Sequence, residues 1–206
     1  MREHGEIEEI ILDLVCEYWD RKLTGNEHHD NGDKIGESHM AMFFADMVAS
    51  NNYVTQEQIY IFNEELKNQI NNREYNILET YCDYGPGVYL YEAAQKAGIN
   101  SLVFPFKNGV KFEDGTVIES SPYSGKQLVD LIIYCKKEYI SYLIKSLEEQ
   151  LDHYRKENYK FWEKEDCEKY YAEHIKSYKE FADKFDDVYI REDFKDFYNK
   201  RLNNER

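Results

Sequence analysis

The stretch LVFPFKNGVKFEDGTVIE, residues 102–119, decides what kind of fold this chain takes. It reads as three short strands, Leu102 to Lys107, Val110 to Glu113 and Thr116 to Glu119, separated by Asn108-Gly109 and Asp114-Gly115. Both dipeptides tolerate the positive φ angles of tight hairpin turns, so the spacing predicts a small antiparallel meander. Pro105 has no amide hydrogen and places the first of these strands at a sheet edge.

Toward the N-terminus, Tyr75 to Cys82 alternates Ile77, Glu79 and Tyr81 with Leu78, Thr80 and Cys82, the two-residue period of another strand. Gly85-Pro86-Gly87 ends it, and a short helix from Val88 to Ala97 stops at Gly98. Thr55 followed by Gln58 is a capping box that opens a helix reaching Ile70, with Ile59, Phe62, Leu66 and Ile70 inward. A further helix runs from Ser38 to Asn51-Asn52 through Met40, Phe43, Phe44, Met47 and Val48. Thr24 to Gly36 is glycine- and asparagine-rich, without periodicity, and reads as a loop. Glu6 to Lys22 is an amphipathic helix: Ile7, Ile10, Ile11, Leu14, Val15 and Tyr18 share one side, and Glu8, Glu9, Asp13, Glu17 and Asp20 the other.

Toward the C-terminus, no proline follows Pro122 and no glycine follows Gly125. Ser124 and Gln127 form a second capping box. Leu128, Ile132, Cys135, Tyr139, Leu143, Leu147, Leu151 and Tyr154 recur every three or four residues, which predicts one helix about 50 Å long at about 1.5 Å per residue. A second helix from Asp166 carries Tyr170, Tyr171, His174, Tyr178, Phe181 and Phe185. Asp186-Asp187 interrupts it, and a last short helix runs from Glu192 to Leu202. The expected fold is α+β and mainly helical. An α+β globular region over 1–123, holding the N-terminal helices and the meander, is followed by a long helical hairpin with a C-terminal helix over 124–206.

With 206 residues, 42% of them hydrophobic and 16% aromatic, the chain has the material for a packed core of one or two small domains. It holds no apolar run of the roughly 18 residues a membrane span needs, and Met1 to Glu6 lacks the basic and apolar parts of a signal peptide. A soluble cytoplasmic protein is the expectation. Cys16, Cys82, Cys135 and Cys167 lie far apart, without the close spacing of zinc or redox pairs, and read as four buried free thiols.

The net charge of -15 is uneven: residues 1–74 carry 6 basic and 16 acidic side chains, and residues 125–206 carry 17 and 19. An acidic surface repels phosphate backbones, so direct nucleic-acid binding by the first third is disfavoured. The same field attracts a basic protein surface, including one that handles nucleic acid. Helices two and three imitate a helix-turn-helix, but the second of them offers Glu57, Glu64 and Glu65 against Lys67 alone, the wrong chemistry for reading a groove.

His28, His29, Asp30, Asp33 and His39 are the densest set of potential metal ligands. They lack the i, i+4 histidine pair or the alternating calcium-loop pattern, so a polar loop is favoured. Cys82-Asp83-Tyr84-Gly85-Pro86-Gly87 sits at a strand-to-helix step, where amides and the helix dipole can activate a thiolate. No histidine lies near it in sequence, and a structural turn is favoured. Cys167, Tyr171 and His174 share a helical face that reads as core.

Asp83-Tyr84-Gly85-Pro86, the helix Tyr89 to Ile99 and Phe104-Pro105-Phe106-Lys107 resemble a segment of small uncharacterised accessory proteins of bacterial phages and mobile elements. That resemblance carries no catalytic signature and implies a host-takeover or anti-defence role, of anti-CRISPR or antirestriction type. The expected function is a non-enzymatic acidic inhibitor, without cofactor, metal or catalytic residue, whose Glu8, Glu9, Asp13, Glu17 and Asp20 meet a basic nucleic-acid-handling partner. A homodimer through the C-terminal helices is expected beside it. The alternatives are a small metal- or thiol-dependent enzyme and a helix-turn-helix regulator.

Overall fold

The computed structural model describes residues 7–24, 53–72, 79–83, 85–113, 115–120, 128–156 and 164–204. In chain order these form α1 (Glu9–Thr24), α2 (Gln56–Asn71), β1 (Glu79–Cys82), α3 (Val88–Ala97), β2 (Asn108–Glu113) and β3 (Thr116–Ser120). There follow a single turn α4 (Leu128–Leu131), β4 (Ile132–Lys136), α5 (Lys137–Lys156), α6 (Lys164–Ala182), β5 (Val188–Ile190) and α7 (Lys195–Asn204). The fold is α+β, and its five strands pair antiparallel in the order β1-β2-β3-β4-β5.

Local chemistry explains the best-defined ends. At the start of α2, Gln58 N–H donates to Thr55 Oγ1 at 3.2 Å and Thr55 N–H donates to Gln58 Oε1 at 3.0 Å, the expected reciprocal box. Gly98 closes α3 at φ 66°, in the left-handed region, and its N–H reaches the carbonyls of Ala94 and Gln95. Gly115, at φ 88°, stands between β2 and β3 where the turn was expected.

The sheet separates two layers of helices. On one side, α1, α2, α3 and α7 enclose a core in which the Trp19 and Phe62 rings each tilt against Phe104, at 5.8 and 5.9 Å between centroids. Trp19 Nε1–H donates to Thr80 Oγ1 at 2.8 Å, which satisfies the indole inside that core and ties α1 to β1. On the other side, Ile132, Cys135, Ile140, Tyr178 and Phe181 form a smaller cluster under α5 and α6. The register shifts between Val117 and Ile118, which pair with Tyr134 and Ile132, so Ile133 is the extra residue of a bulge. That bulge turns Ile133 and Tyr134 to the first core and leaves Ile132 and Cys135 in the second.

Four expectations are corrected. The helix predicted from Leu128 to Tyr154 is instead α4, strand β4 and α5, because Ile132 to Cys135 are all buried, covered on both faces of the sheet. Leu102 to Lys107 is no strand: Ser101–Val103 is a 3-10 turn and Pro105 lies outside the sheet. Asn108-Gly109 is not a turn but the start of β2, where Gly109 faces Tyr81 across the ladder. A side-chain carbon at Gly109 would lie 3.0 Å from the Thr80 carbonyl oxygen, so this glycine serves a close approach of strands. Finally, the sheet crosses the expected boundary between residues 123 and 124, since β4 pairs with β3 and β5 extends the same sheet. The capping box at Ser124, the helix from Ser38 and residues 75–78 of the expected first strand lie outside the described residues.

Candidate interaction surface

The five carboxylates expected to share the solvent side of α1 do not do so. α1 is flanked by α2 and α7 as well as by the sheet, so positions that would be wet on a two-layer protein become interhelical. Asp13 is 2% exposed, and its Oδ1 accepts from Lys67 Nζ on α2 and from Arg201 Nη2 on α7, each at 2.5 Å. Lys67 Nζ also donates to Glu9 at 2.8 Å. Burial works against the Lys67 ammonium, but its bonds to Asp13 and Glu9 outweigh it and hold the group above the ordinary lysine range. Glu17 pairs with Arg21 at 2.7 Å, Glu8 with Lys136, and Asp20 accepts from Asn63 Nδ2 at 3.0 Å. The structure therefore spends this acidic set largely on joining elements. Apart from Arg21, one turn from Glu17, its cationic partners lie 54 to 188 residues away in sequence, where no local pattern reveals them.

Exposed acidic and aromatic groups gather instead on α2 and α3. Burying Ile59, Phe62, Leu66 and Ile70 turns Glu57, Tyr60 and Glu64 outward, at the three- and four-residue steps of one helical stripe. Tyr60 is 67% exposed, and Tyr53, just ahead of the helix, is 91% exposed. The neighbouring α3 exposes Val88, Tyr91 and Glu92 while Leu90, Ala93, Ala94 and Ala97 face the core. Tyr81 on β1 is also exposed, but Thr80 and Cys82 on either side of it turn into the first core, so strand alternation points Tyr81 away from that core. No described residue forms an ion pair with Glu57, Glu64 or Glu92. The sequence carried this signal in the acids of the would-be reading helix, but their exposure depends on which face of α2 meets α3.

The other candidates have less to work with. Cys82 is buried at the end of β1, where desolvation, with Asp83 adding to it, pushes its thiol up to about 12. Burial likewise raises Cys135 to about 11, against weaker lowering by Thr116 and the Ile140 backbone, and it raises Cys16 as well. Such thiols are poor sources of thiolate at neutral pH. Cys167 is buried, and His174 stacks on Tyr170 at 4.1 Å between centroids, with Nδ1 at 2.8 Å from the Tyr170 carbonyl. Among the described residues no three His, Cys, Asp or Glu side chains come together as a metal site; His28, His29, Asp30, Asp33 and His39 lie outside those residues. A groove of about 650 Å³ between α5 and α6 has an apolar floor of Leu151, Ala172 and Ile175. Its rim carries both charge signs, several of them already paired, such as Lys179 with Glu148 at 2.7 Å. No described helix is long and apolar enough to cross a membrane. Comparison with protein families, with curated proteins and with solved structures gives no match.

Proposed function

We propose that this chain is a non-enzymatic binding protein whose α2–α3 face occupies a basic surface of a nucleic-acid-handling partner. The observation that carries the reading is the stripe Glu57, Tyr60, Glu64: two carboxylates without an ionic partner among the described residues flank an exposed ring. Carboxylates spaced along one helix face complement a surface built to hold phosphates, and they steer its approach. Tyrosine adds apolar contact area with a polar tip, the combination enriched in interfaces. The acids of α1 supply the field behind this face rather than the contact, since most already have intramolecular partners.

The resemblance of residues 83–107 to accessory proteins of phages and mobile elements covers α3. It directs the reading toward a partner in host defence, such as a CRISPR or restriction enzyme. Capture from the native host tests this reading when the wild type is compared with a Glu57→Lys, Tyr60→Ala, Glu64→Lys variant. The expected outcome is a nucleic-acid-handling protein bound by the wild type, released by its own nucleic acid, and lost from the variant. A partner retained by the folded variant, or one that holds this chain and nucleic acid together, contradicts the proposal.

A further inference from the structure

Three buried oxygens at the joint between α1 and α2 have no hydrogen-bond partner: Asp13 Oδ2, beside the Lys67 bond, and two that belong to the neighbouring side chains Asp20 and Asn63. Asn63 Nδ2 donates to Asp20 Oδ2 at 3.0 Å, while Asp20 Oδ1 and Asn63 Oδ1 are both buried and unpartnered. Two acceptors left orphaned in this way are costly, whereas one proton placed between them satisfies both. A carboxylic acid and a carboxamide that already share one hydrogen bond have the matching donor and acceptor to close a second. We infer that Asp20 keeps its proton in the folded protein, with Oδ1–H donating to Asn63 Oδ1, so that a two-point acid–amide pair joins α1 to α2.

The surroundings agree with a neutral carboxyl. Burial is the main influence on Asp20, and the negative charge of Glu17 one turn earlier adds to it. Together they push the group up to about 7, although the Asn63 bond alone favours the charged form. Glu17 is itself held by Arg21, whose guanidinium also donates to the Asp193 carbonyl ahead of α7. On α2 the nearest cation along the helix, Lys67, is committed to Asp13 and Glu9. β2 and β3 meet α1 through Val110, Phe112 and Val117 of the shared core. The inference does not depend on what α2 binds, although α2 also carries Glu57, Tyr60 and Glu64.

Because the folded-state value lies above the ordinary 3.8, the proton's contribution to stability is fully present below about pH 4 and is lost as the pH climbs to about 7. Asp20→Asn replaces the acid by a permanently neutral amide and removes this titration alone. Denaturant unfolding of both proteins between pH 4 and pH 9 should show the wild type losing on the order of 10³-fold in its folding equilibrium relative to the variant, given a shift of about three pH units. Parallel pH profiles would overturn the pair. A second readout needs no variant: 13C NMR of the aspartate Cγ atoms in the wild type should show one carboxyl titrating near pH 7. A spectrum in which every described aspartate ionises in the ordinary range below pH 5 would also overturn it.

Discussion

The helices on the two sides of the sheet are of similar length and are built on different principles. α1 has 16 residues and buries nine of them, among them Trp19, Tyr18 and the ion-paired Asp13. α5 has 20 residues and buries two, Ile140 and Leu151. The first layer is closed on several sides by α2, α7 and the sheet, so even its polar positions find protein partners. The second is a helix pair that meets the sheet near Ile140 and Phe181 and is otherwise held by its own contacts. Those contacts run in opposite senses along α5 and α6, from Lys137 on the Ala182 and Phe185 carbonyls to Arg155 near Glu168 at 3.6 Å. Of these, the exposed ion pair of Arg155 with Glu168 contributes little, about 0–1 kcal/mol. Cohesion is thus concentrated in the layer that presents the α2–α3 face, and that layer holds the face in a fixed shape.

The largest expected effect follows from the first core. Phe62 is fully buried beside Phe104, so Phe62→Ala should cost about 3–5 kcal/mol, read as a lower denaturant concentration for unfolding. Leu151→Ala, at the floor of the α5–α6 groove, should cost less, about 2 kcal/mol, because an open site collapses more readily. Amide hydrogen exchange sharpens the contrast: the Leu151 variant should exchange faster along α5 and α6 while the amides of α1 and β2 stay protected. Equal losses from both variants, spread over the whole chain, would break the comparison.

How much of this was legible in the sequence depends on whether the deciding interaction was local. The capping box at Thr55 and the stop at Gly98 are contacts within a few residues, and both stand as read. β4 was hidden because the spacing of Leu128, Ile132, Cys135 and Tyr139 suits a helix while complete burial erases the alternation of a strand. The branched run Ile132-Ile133 was the one local sign of it. Gly109 misled for a different reason: a glycine beside asparagine announces a turn, and the same lack of a side chain admits a neighbouring strand. The acidic side of α1 was legible as a pattern but not as a surface, because Lys67 and Arg201 reach Asp13 only after folding. Tyr60 and the acids beside it were visible as residue types, yet their roles depend on how α2 packs against α3.

Two tyrosines allow the central claim to be tested with exposure held equal. Tyr60 on α2 is 67% exposed and Tyr142 on α5 is 66% exposed, and they stand on helices in opposite layers. A photo-reactive phenylalanine analogue placed at one or the other position, with the protein irradiated in its native host, reports which layer meets the partner. The proposal predicts a covalent adduct to a basic nucleic-acid-handling protein from position 60 and none from position 142. An adduct to such a protein from position 142, with position 60 silent, would contradict it.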